Sequence, residues 1–229
     1  MNLNRLISLN NSKSPIWEAY RVLRTNIEFS IFDRNIKVIL ITSAAPEEGK
    51  STTVSNLAIT MAQADKRILL IDADLRKPKL HNTFGLSNIS GLTTSLVMNE
   101  KLEHVTKKNV VPGLDIITSG PKPPNPSEIL ASKAMKELIE QTRESYDKVL
   151  LDSPPIGMVT DPAVLSAIAD GTILVIDSGK THIENAQKAK NLLEKVNANI
   201  LGVVLNKIPV STKNYYNYYC QSDYEEVNG

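Results

Sequence analysis

Cysteine is nearly absent: Cys220 is the only one in 229 residues, alongside three histidines and a single tryptophan. A lone cysteine excludes an intramolecular disulfide and a thiolate metal cluster, and suits a reducing compartment. His81 and His104 have no partners at metal-ligand spacing and read as surface or packing residues, while His182 reads as a helix start. No apolar run approaches the roughly 20 residues that cross a bilayer, and the N-terminal MNLNRLISLNNSK has no apolar stretch of signal-peptide length. The chain is expected to stay in the cytoplasm. A formal charge of +1 lacks the basic excess of a nucleic-acid binder, so no nucleic-acid partner is expected. What remains is a chain with 41% hydrophobic residues, long enough for one sizeable α/β domain.

The informative stretch is Lys37 to Thr52, KVILITSAAPEEGKST. A β-branched run, Val38 to Ile41, gives way to small residues and Pro46, then to Gly49-Lys50-Ser51-Thr52, after which the pattern turns helical. Strand, phosphate loop and helix in that order predict an ATP-binding segment made of Ala45, Pro46, Glu47, Glu48, Gly49, Lys50, Ser51 and Thr52. Backbone N–H groups and a helix N-terminus converge on an anion there, and Gly49 lets the backbone approach it. Lys50 is expected to reach the β- and γ-phosphates, and the Ser51 hydroxyl to meet the Mg²⁺ that accompanies the nucleotide. Ala44 stands where such loops usually open on glycine.

Two further strand ends carry acids. Residues 67–71 read as a buried strand ending Asp72-Ala73-Asp74-Leu75-Arg76-Lys77-Pro78, and two carboxylates one residue apart can reach one metal or one attacking hydroxyl. Residues 148–151 deliver Asp152-Ser153-Pro154-Pro155, with Asp152 expected at the metal. The periodicity predicts helices over 52–64, 91–98 and 181–196, strands over 114–118, 172–176 and 200–205, and a helix opening at Asp161-Pro162. Between them, Gly120 to Pro126 reads as a stiff loop, and Asn125-Pro126-Ser127-Glu128 has capping-box spacing before a helix reaching about Tyr146. This alternation predicts an α/β fold: a doubly wound, mainly parallel sheet with helices on both faces, in the P-loop NTPase architecture. The last strand ends Asn206-Lys207-Ile208-Pro209. Pro209 offers no acceptor where guanine-nucleotide switches carry an aspartate, so ATP is expected rather than GTP, with Asn206 a candidate purine contact or a turn former.

At the ends, Ser14-Pro15 reads as an N-cap with proline at the first helical position, opening a helix over 15–29. Ile16, Tyr20, Leu23 and Ile27 line one face and Glu18, Arg21, Arg24 and Glu28 another, a charged face that pattern alone assigns to solvent. Five of seven tyrosines, Tyr215, Tyr216, Tyr218, Tyr219 and Tyr224, fall in the final stretch without apolar periodicity. The organisation expected is a flexible 1–13, a domain over 14–209 and a mobile tail over 210–229.

Together, the loop ending Gly49-Lys50-Ser51-Thr52, the segments LLIDADLRKP and LLDSPP, and the terminal tyrosine cluster resemble a bacterial tyrosine kinase of the capsule and exopolysaccharide type, over nearly the whole chain. Glu18, Arg21 and Arg24 resemble that family's self-association motif, which turns the charged helix face into an expected subunit interface. The resemblance implies MgATP-dependent phosphorylation of tail tyrosines between subunits of a homo-oligomeric ring. Lys50, Asp72 and Asp74 are then the catalytic residues, Ser51, Asp72 and Asp152 the Mg²⁺ ligands, and the five tail tyrosines the acceptors. It also implies a membrane-spanning activator that acts through its cytoplasmic tail and recruits the kinase to the inner face of the membrane, a phosphotyrosine phosphatase, and polysaccharide-biosynthesis enzymes as substrates. The chain is similar to the split form, whose activator is a separate protein. Two other classes share the architecture: Min- and Par-type ATPases, which carry an additional lysine that Ser43 to Glu48 lacks, and a non-catalytic nucleotide-dependent adaptor.

Overall fold

The computed structural model describes Leu6, residues 14–32 and residues 34–209. The expected flexible N-terminal segment, apart from Leu6, and the tail with its five tyrosines lie outside the described residues. In chain order the elements are α1 (Pro15–Ser30), β1 (Val38–Ser43), α2 (Lys50–Ala62), β2 (Ile68–Asp72), α3 (Leu80–Phe84), α4 (Leu92–Met98), α5 (Leu102–Val105), β3 (Thr106–Val111) and β4 (Leu114–Ile117). They continue with α6 (Pro126–Leu130), α7 (Lys133–Ser145), β5 (Lys148–Asp152), α8 (Asp161–Ser166), β6 (Gly171–Asp177), α9 (Ile183–Lys195) and β7 (Ile200–Asn206).

The strands form a seven-stranded sheet in the order β3-β4-β2-β5-β1-β6-β7, parallel except for β3 on β4. Its central strands are near-continuous apolar runs because both faces are covered. Alternate residues divide between the two cores: Ile39, Ile41, Ile68, Leu70 and Leu150 pack with Val54, Leu57 and Ile59 of α2 on one face. On the other, Val38, Leu40, Leu69, Ile71, Val149 and Leu151 pack with Leu96 of α4 and Met135, Leu138 and Ile139 of α7. Burial of this kind contributes about 25 cal/mol per Å² of apolar surface, and it fixes register, since a slip by one residue would exchange the two faces.

Two differences from the sequence expectation have physical causes. The single helix expected from Asn125 to Tyr146 is two helices. The Asn125 side chain does not cap; its Nδ2 donates to Glu128 Oε2 at 2.6 Å, and the chain restarts at Ser132, whose hydroxyl accepts from Met135 N at 3.2 Å. Strand β3 was not expected, because TKKNVV lacks alternation; it is an edge strand with an irregular register against β4. The expected first helix is present, with Ser14 Oγ accepting from Trp17 N at 3.2 Å.

Candidate functional site

The site lies at the C-terminal ends of β1, β2 and β5, where parallel strands of this topology present their loops. Pairing of β2 with β5 sets Asp72 directly opposite Asp152, and pairing of β1 with β5 sets Ile41 against Asp152. Two buried acids and the start of the phosphate loop are therefore neighbours by register alone. Gly49 is left-handed (φ +92°) ahead of Lys50, the first residue of α2, so its backbone turns sharply where the first-turn amides lack intrahelical acceptors.

Lys50 Nζ is 3.1 Å from Asp74 Oδ2, 3.6 Å from Asp152 Oδ1 and 3.2 Å from Ser51 Oγ. Burial disfavours its charge, but Asp152 and Asp74 outweigh that and raise its pKa. Asp72 is fully buried; its Oδ2 accepts from the amides of Lys79 (3.1 Å) and Leu80 (3.0 Å), which nevertheless leave its carboxyl pushed up to about 8 by burial and then by the charge of Asp152. Burial also raises Asp152, against the pull of Lys50. Asp74 Oδ1 accepts from Lys77 N at 2.9 Å.

Among the described residues, Asp72 Oδ1 has no hydrogen-bond partner, and the Asp152 carboxylate meets only Lys50, at 3.6 Å, and the Ser51 hydroxyl. Bare buried oxygens are costly unless a cation or proton meets them. Carboxyl oxygens this sparsely partnered, beside the Ser51 hydroxyl, match the hard oxygen donors that Mg²⁺ takes, so Ser51, Asp72 and Asp152 fit that ion. The described residues contain no cluster of three acidic, histidine or cysteine side chains that would hold a metal unaided.

Other contacts that the sequence did not disclose hold the loop. Glu48 is buried, its Oε2 accepting from Ala45 N at 2.8 Å and its Oε1 from the hydroxyl of Thr181. Lys207 Nζ donates to Glu47 O at 2.6 Å and to Asp177 Oδ2 at 2.7 Å. Asn206, expected at the purine, donates its Nδ2 to Glu48 O at 2.9 Å and packs so tightly that a Cβ on Gly49 would come within 2.0 Å of it. Its amide braces the phosphate loop in this structure. Arg76 grips Asp161 with Nε and Nη2 at 2.8 and 2.9 Å and also reaches Ser127 Oγ at 3.0 Å, tying the loop after β2 to α6 and α8. Asp161 was legible only as a helix start, and no local pattern marked Arg76 as its partner.

The charged face of α1 also differs from its periodicity. Arg21 pairs with Glu18 of its own helix at 3.1 Å and lies over the Trp17 ring, in the open. Arg24 instead turns inward, its Nη1 donating to Thr60 O of α2 at 2.9 Å, and Glu28 pairs with Lys66 at 2.6 Å.

A family profile described as an AAA domain matches residues 36–206. The tyrosine-protein kinase YwqD of Bacillus subtilis is 47% identical over 95% of this chain and 92% of its own length, and the tyrosine-protein kinase CpsD of Streptococcus agalactiae 38% identical over 88% and 87%. The tyrosine-protein kinase ptk of Acinetobacter johnsonii is 38% identical, but the match covers only 29% of that longer chain. The solved kinase domain of Escherichia coli tyrosine kinase ETK superposes with a TM-score of 0.87 at 35% identity, over 90% of this chain and 81% of that one. The septum site-determining protein MinD of Pyrococcus horikoshii, solved with Mg-ADP, superposes with 0.63 at 21% identity over 79% and 76%, a likeness of fold alone.

Proposed function

Because this chain belongs to the bacterial tyrosine kinases of the capsule type and is a protein-tyrosine kinase, we propose that it transfers the γ-phosphoryl group of ATP to tyrosines of its own tail, from one subunit to the next in a ring. The observation that carries the site assignment is the convergence of Lys50, Asp74, Asp72 and Asp152 on one strand-end crevice beside the phosphate loop.

In this reading Lys50 exchanges Asp74 for the β- and γ-phosphates, which carry more charge than one carboxylate. A Mg²⁺ ion would neutralise charge developing on the phosphoryl group, and Ser51 and Asp152 would hold it, with Asp72 at the rim of the set. The phenolic oxygen forms a bond to the γ-phosphorus as the bond to ADP breaks, and the phenolic proton passes to Asp72. A phenol has a pKa of about 10 and needs a base; the Asp72 carboxyl, which burial keeps protonated up to about pH 8 in the nucleotide-free protein, would serve once a cation beside it has displaced that proton. Asp74, once released by Lys50, orients the hydroxyl. Asn206 braces the loop and meets the purine only if that bond is exchanged.

The exposed pair Glu18–Arg21 supplies the ring contact, while Arg24 fixes α1 on α2 so that the contact has a defined direction. The activator is a separate membrane-spanning protein whose cytoplasmic tail docks the ring at the inner membrane face. Enzymes of polysaccharide synthesis are substrates, and a phosphotyrosine phosphatase resets the tail. The test incubates the full chain with MgATP, with and without the activator's cytoplasmic tail, and maps phosphotyrosine by mass spectrometry. Phosphate on tail tyrosines that requires Lys50 is the expected result. ATP hydrolysis without tyrosine modification would instead indicate a Min- or Par-like ATPase, and neither would indicate an adaptor.

A further inference from the structure

The crevice as built is poor in positive charge for a kinase whose tail includes acids. Three carboxyls, Asp72, Asp74 and Asp152, face one ammonium, Lys50, and MgATP still adds net negative charge. The nearest guanidinium, Arg76, is occupied by Asp161 and Ser127. Lys77 and Lys79 are placed differently. Their backbone amides bond to Asp74 and Asp72, which pins both residues at the rim of the crevice, yet both side chains are exposed. Among the described residues, neither ammonium takes part in an ion pair.

The five tail tyrosines divide sharply by neighbouring charge. Between Ser211 and Ser222 there is no acid, and Lys213 precedes Tyr215, Tyr216, Tyr218 and Tyr219. Tyr224 alone is flanked, by Asp223 before it and Glu225 and Glu226 after it. An acidic segment entering a crevice lined by carboxyls and a nucleotide is repelled unless cations stand at the entrance, and such steering acts within about a Debye length of 10 Å at 0.1 M salt.

Resting on the kinase reading above, we propose that Lys77 and Lys79 form the acceptor-selecting rim of the site, which takes tyrosines flanked by carboxylates, and that Tyr224 is accordingly the first tail tyrosine to be phosphorylated. The lysines act on recognition of the acceptor and not on the transfer step. The bonds to Asp72 and Asp74 come from backbone amides, so replacing both side chains leaves the carboxyls seated. Two exposed ion pairs can supply a preference on the order of fivefold.

The experiment follows the initial rate of phosphate incorporation at each tail tyrosine of the full-length protein with MgATP, by quantitative mass spectrometry. It compares the natural chain, Lys77→Gln/Lys79→Gln, and Asp223→Asn/Glu225→Gln/Glu226→Gln, each with its melting temperature measured. In the natural chain Tyr224 should lead by about fivefold at low salt and less at 0.5 M. Both variants should remove that lead while the four neutral-flanked tyrosines keep their rates. A Tyr224 that trails the others overturns the proposal. So does a lead that survives in the lysine double variant, since position along the tail rather than charge would then set the order. Absence of phosphotyrosine at every position would overturn the kinase reading itself, an outcome distinct from phosphorylation in the wrong order.

Discussion

Asp72, the proton acceptor proposed above, is buried at a cost to stability. Its carboxyl is raised to about 8 by burial and by Asp152, whereas in the unfolded chain it ionises near the usual 3.8. Between those values the folded protein retains a proton that the unfolded chain releases, so this group makes the nucleotide-free protein less stable as pH climbs from about 4 to about 8. Asp72→Asn keeps the shape and the acceptor for the Lys79 and Leu80 amides but removes the titration. The variant should unfold at a higher temperature than the natural chain at pH 8 and at nearly the same one at pH 4, while its tyrosine phosphorylation falls by about a hundredfold or more. Calorimetry across that pH range with a phosphotyrosine assay checks both. Equal melting temperatures at pH 8 would mean that Asp72 is ionised at no cost in the folded state.

The elements around the loop act through their ends. The end of β7 props the phosphate loop through Asn206 and Lys207, and the loop before α9 does so through Thr181. Gly49→Ala meets two obstacles: a left-handed φ that costs about 1 kcal/mol or more without glycine, and a Cβ at 2.0 Å from Asn206 Nδ2. ATP binding should weaken at least about tenfold. Adding Asn206→Ala should recover part of it by removing the clash but not the strain; a double variant no better than the single one would assign the loss to the backbone alone. At the opposite end of β1, Asp170 accepts from the amides of Lys37 and Val38 and pairs with Arg143 of α7 at 2.7 Å. Burial opposes its charge, but Arg143 and the two amides win and lower its pKa. A lowered carboxylate contributes stability above its unfolded pKa, near 3.8, that is lost as pH falls below that value. Asp170→Asn should therefore lower the melting temperature at pH 7 by an amount that shrinks toward pH 3. A deficit independent of pH would mean that packing, not charge, seats β1.

At the scale of the whole molecule the question is which surface meets another copy. Arg24 is engaged with Thr60 inside the chain, whereas Arg21 is exposed with Glu18 as its only ion-pair partner among the described residues. If the proposed ring forms through this face, charge reversal at Arg21 should dissociate it with little cost to the fold, since exposed pairs contribute about 0–1 kcal/mol. Reversal at Arg24 should lower stability as well, because it also undoes the seat of α1 on α2. Light scattering for assembly mass and thermal unfolding of the same samples separate the two. Assembly unchanged by Arg21→Glu would return this face to solvent.

The sequence by itself determined the elements that carry chemistry. A β-branched run before Gly49-Lys50-Ser51-Thr52 and apolar strands ending in Asp72 and Asp152 are local patterns, and period, capping and glycine are local in origin. Ser14 was legible as a cap for the same reason, since its partner is three residues away. Tertiary structure decided what lies far apart along the chain: Asp72 opposite Asp152, Asn206 and Lys207 under the phosphate loop, Thr181 on Glu48, and Arg76 on Asp161. It also decided between competing local uses of one group. Asn125 and Glu128 had capping-box spacing, but their side chains bond each other, and Arg24 left the helix surface for a carbonyl of α2. A buried polar group must find a partner wherever the fold supplies one, and that choice follows from register and burial, which no local window contains.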